Sequence, residues 1–212
     1  MQNRIITRRS ALVSIGSSIL VASTMREALA CGPLQGQKTP ATRACGETHD
    51  QIEGPYYRAQ APERWDLTEP GMPGTPLEIE GRVTSIDCIT ALKDAELDVW
   101  QATSTGHYDN DGTMRLPENK MLLRGRLRAD GDGRFRIKTI VPGRYLNGKQ
   151  YRPSHVHVKL RAKEHVSLTT QLYFPDDPYN KIDPFLHESL IMDVKKSDAG
   201  LKARFDFVLR RS

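Results

Sequence analysis

The chain has 212 residues, room for one domain and an appendage at roughly 100–200 residues per domain. Hydrophobic residues make up 38% and charged residues 27%, which excludes both a disordered tail and a polytopic membrane protein. The formal charge of +5 suggests nucleic acid as a partner, but much of the excess lies at the N-terminus, and no basic stripe interleaved with aromatics follows it.

Residues 1–30 read as an export signal. Arg4 to Ser10 form a basic stretch, Ala11 to Ala22 a short apolar run diluted by Ser and Gly, and Ala28-Leu29-Ala30 a small-residue cleavage site. Thr7-Arg8-Arg9-Ser10 resembles a twin-arginine signal, with Ala11 where a Phe is usual. The apolar run has 12 residues, against about 20 needed to span a bilayer, so no membrane anchor is expected. Cleavage near Ala30 takes Arg4, Arg8, Arg9 and Arg26 against Glu27, which lowers the net charge from +5 to +2 and removes the case for a nucleic-acid partner. The expected destination is the periplasm or the exterior. There the three cysteines meet an oxidising environment, and Cys45–Cys88 or Cys31–Cys45 can pair. Lipidation of Cys31 is not expected, because Ala28 stands where Leu is usual.

Residues 31–76 are rich in Gly, Pro and Thr and lack periodicity. They read as an irregular N-terminal arm, with a short helix around Ala61–Trp65. From Leu77 the pattern alternates with period two. Strands are predicted at Leu77–Val83, Ala95–Trp100, Lys120–Ala129, Phe135–Ile140, His155–Leu160, Leu168–Phe174 and Ala203–Arg210. Asp109-Asn-Asp-Gly, Ala129-Asp-Gly-Asp-Gly and Pro142-Gly supply turns, and only Ser197–Ala203 reads as helical, for about one turn. Many short strands at close spacing predict an all-β domain over residues 77–212, a single sandwich of mixed or antiparallel sheets.

The sharpest chemical signal is His155-Val-His157. Residues two apart on a strand share a face, about 6.6 Å apart, so two imidazoles can chelate one metal; the plain alternative is two polar side chains on a solvent-facing strand. The spacing fits neither the cupin pattern nor HExxH, and a zinc hydrolase lacks its third ligand and general base. Tyr108 and Tyr145 each follow a predicted strand at its loop end, and phenolate is a hard anionic ligand suited to Fe(III).

Seven segments together resemble the intradiol ring-cleavage dioxygenases. They are Glu53-Gly-Pro-Tyr-Tyr57, Asp98-Val-Trp-Gln-Ala, Gly106-His-Tyr108, Leu123-Arg-Gly-Arg, Asp132-Gly-Arg-Phe with Thr139-Ile-Val-Pro-Gly-Arg-Tyr145, Arg152-Pro-Ser-His-Val-His157, and Leu168-Thr-Thr-Gln-Leu-Tyr-Phe-Pro. They stand in the family's order over about residues 50–180. The resemblance implies one non-haem Fe(III) per chain, held by Tyr108, Tyr145, His155 and His157 with solvent hydroxide completing the set. It implies cleavage of a catechol-type ring by O₂ to a cis,cis-muconate, both oxygen atoms being incorporated. Tyr145 would leave the metal and accept a substrate proton. Arg152 would stabilise charge on the ring, Gln171 would support the site, and Tyr56 and Tyr57 would line the substrate pocket. The arm is short for the helical dimerisation domain of the catechol 1,2-dioxygenases, which leaves the form of any homo-oligomer open, and the export signal resembles the extracytoplasmic branch. The competing reading is a metal-free, transthyretin-like sandwich that binds carbohydrate or protein, since Asp-Gly-x-Phe with Thr-Ile-x-Pro-Gly-x-Tyr also suits such modules.

Overall fold

The computed structural model describes residues 45–212; the proposed signal and Cys31 lie outside them. Eleven strands form two packed sheets and one hairpin. The first sheet is mixed. β1 (Pro76–Ser85) pairs along one side with antiparallel β4 (Arg134–Ile140). Along its other side it pairs with parallel β10 (Gly200–Arg204) and then parallel β11 (Phe207–Leu209). β9 (Asp193–Ser197) closes this sheet against β10. The second sheet is antiparallel, in the order β3 (Arg124–Arg128), β2 (Glu96–Gln101), β7 (His155–Arg161), β8 (Leu168–Tyr173). β5 (Tyr145–Asn147) and β6 (Gln150–Arg152) make the separate hairpin. The sequence-derived β-sandwich is therefore the observed architecture.

Period-two alternation builds the core. Leu77, Ile79 and Val83 of β1 face Leu97 and Val99 of β2 and Val156, Val158 and Leu160 of β7 across one apolar layer. Each of these side chains is almost fully buried.

Four local expectations are corrected or resolved. Ala61–Trp65 is not a helix. Pro62 O accepts from Arg126 N and Arg64 N donates to Arg126 O, while Trp65 O accepts from Lys138 N and Leu67 N donates to Lys138 O. The arm spends its backbone groups on the outer strands β3 and β4, lacing one sheet to the other. Ser197–Ala203 is likewise not helical: Ser197 ends β9 and Gly200 begins β10, joined by a tight antiparallel turn. The strand predicted from Lys120 begins only at Arg124, because Leu123 takes a positive φ of 51° that interrupts extension. Of the two disulfides considered, Cys45–Cys88 forms, with a Cα–Cα distance of 5.9 Å.

Candidate active site

The four-stranded sheet has a second face, turned away from the core. Register places Arg124, Trp100, His157 and Gln171 in one row across it, from β3 through β2 and β7 to β8. His155 stands opposite Tyr173 one step along. All six residues are buried. The HxH pair therefore lies on the face the alternation predicts, but that face is covered rather than solvent-exposed.

The cover comes from the arm and from two loops. Tyr108 lies in the β2–β3 connection, and Tyr145 opens β5. Both loops hang on Thr103, whose carbonyl oxygen accepts from Gly106 N at 3.0 Å and from Gly143 N at 2.7 Å. The contact requires glycine on both sides. A Cβ at Gly143 would stand 2.4 Å from Gly106 N, and one at Gly106 would stand 2.1 Å from Arg144 O. The two backbones meet, and the two phenols come with them.

Tyr108 and Tyr145 have ring centroids 5.6 Å apart, Tyr145 and His155 5.7 Å, His155 and His157 4.8 Å, and Tyr108 and His157 6.3 Å. The two Nε2 atoms of the histidines face each other at 3.2 Å. His155 Nδ1 is held by Pro153 O at 2.7 Å, so its Nε2 is left for a ligand or metal. Burial, with Arg152 adding to it, pulls the His155 imidazole down to about 4; burial and the neighbouring His155 hold His157 well below the usual range. Both rings are neutral at pH 7, the state in which imidazole ligates. Among the described residues no third histidine, cysteine or carboxylate joins them. The side chains that adjoin them are the phenols of Tyr108 and Tyr145, and two imidazoles with two phenolates suit ferric iron. Burial raises the Tyr108 phenol, so a positive charge is needed for it to ionise.

Arg152 is a buried cation beside Tyr145. Its Nε donates to Asp183, its Nη2 to Gln171 Oε1 at 2.8 Å and to Tyr173 Oη at 3.1 Å, and its Nη1 lies 3.4 Å from Tyr145 Oη. Burial works against its charge, but the Asp183 carboxylate outweighs it and keeps the guanidinium protonated. Gln171 in turn donates to Ile52 O in the arm at 2.9 Å. Asp183 and Tyr173 were absent from the sequence-derived set. The alternation of Gln171 and Tyr173 on β8 signals a shared face; nothing local marks Asp183, which arrives from the loop after β8.

The two arm tyrosines part company. Tyr56 stacks on Tyr108 with centroids 4.3 Å apart and lies edge-on to Tyr145, a position that suits a pocket wall. Tyr57 donates instead to Asp98 Oδ2 at 2.8 Å, leans on Trp100 and lies beneath Lys159 Nζ.

A dioxygenase family model matches residues 52–211. A chlorocatechol 1,2-dioxygenase of Cupriavidus pinatubonensis is 33% identical over 73% of this chain and 66% of its own length. The beta chain of protocatechuate 3,4-dioxygenase from Burkholderia cepacia is 32% identical over 74% of this chain and 76% of its own. Among solved structures, the dioxygenase domain of a dioxygenase–carbohydrate-binding fusion from Streptomyces sp. SirexAA-E is 38% identical, with a TM-score of 0.69 over 78% of this chain and 99% of that one. The 3-chlorocatechol 1,2-dioxygenase of Rhodococcus opacus 1CP is 28% identical, with a TM-score of 0.70 over 78% of this chain and 73% of that one. The chain belongs to the intradiol ring-cleavage dioxygenase family. It spans just under two thirds of the length of the first chlorocatechol dioxygenases it matches. Family membership favours an enzyme over the metal-free binding module.

Proposed function

We propose that this protein is an intradiol dioxygenase that opens a catechol-type ring with O₂ to a cis,cis-muconate, with one ferric ion held by Tyr108, Tyr145, His155 and His157. The observation that carries the reading is the meeting of these four rings, from three separate segments of chain, within one covered site. When bound, ferric iron supplies Lewis acidity and a template for both catechol oxygens. The protein's own part follows from what surrounds each group. Tyr108 is almost fully buried and pinned beneath Tyr56, which suits a permanent ligand. Tyr145 is less buried and opens a two-strand hairpin; as a phenolate, its Oη would accept a proton from a catechol hydroxyl and become a neutral phenol. Arg152 Nη1, already near Tyr145 Oη, offers a fixed positive charge toward negative charge developing on the ring. Asp183, Gln171 and Tyr173 hold that guanidinium in place. Tyr56 lines the pocket, and Tyr57 ties the arm down beside it.

The deciding experiment is the visible spectrum of the purified protein with and without catechol. A broad tyrosinate-to-iron band that moves to longer wavelength with catechol is expected. A colourless protein carrying stoichiometric zinc would refute the iron assignment. We also propose export to the periplasm or beyond in the folded state, because a metal loaded before translocation gives a physical reason for a twin-arginine route. Arg8→Lys with Arg9→Lys should then leave precursor in the cytoplasm, and normal export of that variant would refute the route alone.

A further inference from the structure

Leu123-Arg-Gly-Arg is one of the segments that carry the resemblance to the family, yet the chemistry above assigns it nothing. Arg124 is 1% exposed and is the most buried arginine among the described residues. It stands in the row with Trp100 and His157. Its Nε donates to both oxygens of Asp109, at 2.9 and 3.0 Å, and its Nη2 to Asp109 Oδ1 and to Asn110 Oδ1 at 2.9 Å. Asp109 is the residue after Tyr108, and its side chain is fully shielded from solvent. It also accepts from Arg58 Nη1 at 3.1 Å and Leu122 N at 3.1 Å. Arg58 reaches further, to Lys120 O and Glu118 O, and so ties the arm to the far end of the same loop.

Such a cluster is a costly way to stabilise a fold. Desolvating a buried ion pair offsets most of its attraction, and well-packed apolar residues often serve as well. What a planar fork on a carboxylate supplies is direction: two parallel hydrogen bonds fix the position and the rotation of the carboxylate. Here the carboxylate is one peptide unit from Tyr108. A second feature points toward the site itself. Arg124 Nη1 is buried and has no protein partner, and neither do Trp100 Nε1 and His157 Nδ1 beside it in the row. An unpartnered guanidinium N–H therefore stands in the row that carries His157.

We propose that Arg124, acting through Asp109 and braced by Arg58, is the positioning residue for Tyr108, fixing where its phenolate meets the metal. This rests on the reading of Tyr108 as an iron ligand. Arg124 itself touches neither metal nor substrate in this scheme.

The test compares Arg124→Lys, Arg58→Met and Phe207→Leu with the wild-type protein. Phe207→Leu is a control that loosens the core between β1 and β11, remote from Tyr108. Each protein is stripped of metal, melted, and titrated with Fe(III) while the tyrosinate band is recorded. Arg124→Lys keeps the charge and loses the fork. Its iron affinity should fall by about 10-fold or more, the usual scale for a group that orients a ligand, and its band should move in wavelength. Arg58→Met removes the outer brace, at a side chain 24% exposed; it should shift the band in the same direction by less. Phe207→Leu should melt earlier with band and affinity unchanged. If Arg124→Lys fails to fold, Arg58→Met against Phe207→Leu decides the matter. Wild-type band and affinity in the folded variants would overturn the proposal and make the cluster a stability element; so would an equal shift in Phe207→Leu. A wild-type protein with no tyrosinate band would instead refute the iron reading beneath it.

Discussion

The two faces of the β3–β2–β7–β8 sheet are made by the same strands, and at the end that carries His155 and His157 both are buried. On the inner face Leu97, Val99, Val156, Val158 and Leu160 meet the other sheet with no polar atom left to satisfy. On the outer face stand Arg124, Trp100, His155, His157 and Gln171, as deeply buried but polar. Five buried side-chain atoms among the described residues lack a partner, and four of them, on Trp100, Arg124, Arg126 and His157, belong to this outer face. One face is closed by the fold's main core, the other by the arm and two loops laid over a sheet that could have been solvated. Unpaired buried donors are costly. A face that keeps several of them is organised around chemistry rather than stability.

Substitution on each face sharpens that contrast. His157→Ala should remove most of the bound iron and the visible band with it, because it takes away one of the four proposed protein donors. Tyr108→Phe should do the same through the phenol. Leu160→Ala, three residues along β7 and on the other face, should lower unfolding stability by about 2–5 kcal/mol while the folded fraction keeps its colour. Iron analysis alongside denaturant melts checks all three. A Leu160→Ala protein that folds but binds no iron would show that the faces are not separable.

Arg152 offers a smaller and more specific break. It is a donor rather than a ligand, so Arg152→Ala should retain colour and the catechol-induced shift. Removing one preorganised charge typically costs ~10²–10³-fold in rate, and Arg152→Lys should recover only part, since an ammonium cannot reproduce the fork held by Asp183 and Gln171. Single-turnover absorbance after mixing the anaerobic catechol complex with O₂ measures this. Decay of Arg152→Ala at the wild-type rate would reduce Arg152 to a packing residue.

The inner face was legible in the sequence and the outer one only in part. Val156, Val158 and Leu160 announce a strand and its buried side by composition alone. The same alternation pairs His155 with His157, and Gln171 with Tyr173. It cannot say that their side is covered, because the cover comes from Tyr56 and from loops tens of residues away. Ala61–Trp65 and Ser197–Ala203 read as helical for the same reason: the partners that make them extended, Arg126 and Lys138 for one and β9 for the other, are set by tertiary pairing. Asp109 with Arg124, and Arg152 with Asp183, are joined across 15 and 31 residues of chain by ion pairs that leave no periodic trace.

The mildest test concerns how the arm is fastened to the outer face. Asp98 is buried there, and burial pushes its carboxyl above the usual range while the Tyr57 hydroxyl and the guanidiniums of Arg161 and Arg126 pull the other way. Lys159 and Glu96 complete the charges around it, Lys159 facing Asp98 across the β2–β7 pair. A group whose folded pKa is raised binds its proton more tightly in the native state, so its contribution to stability is present at low pH and is lost as pH rises through the folded value. Tyr57→Phe removes the one hydroxyl that favours the carboxylate. Asp98 should then titrate higher still, and the pH at which this contribution disappears should move up. At neutral pH the lost hydrogen bond to a charged acceptor should cost about 1.5–3 kcal/mol at most, discounted by the partial exposure of the phenol. Iron content and band position should stay at wild-type values, because the Tyr57 hydroxyl bonds to Asp98 and is not one of the four proposed donors. Urea melts across the acid range, paired with spectra at each pH, measure both. A Tyr57→Phe protein whose stability profile overlays the wild type would mean that the Lys159–Glu53 ion pair and Tyr56 hold the arm without it.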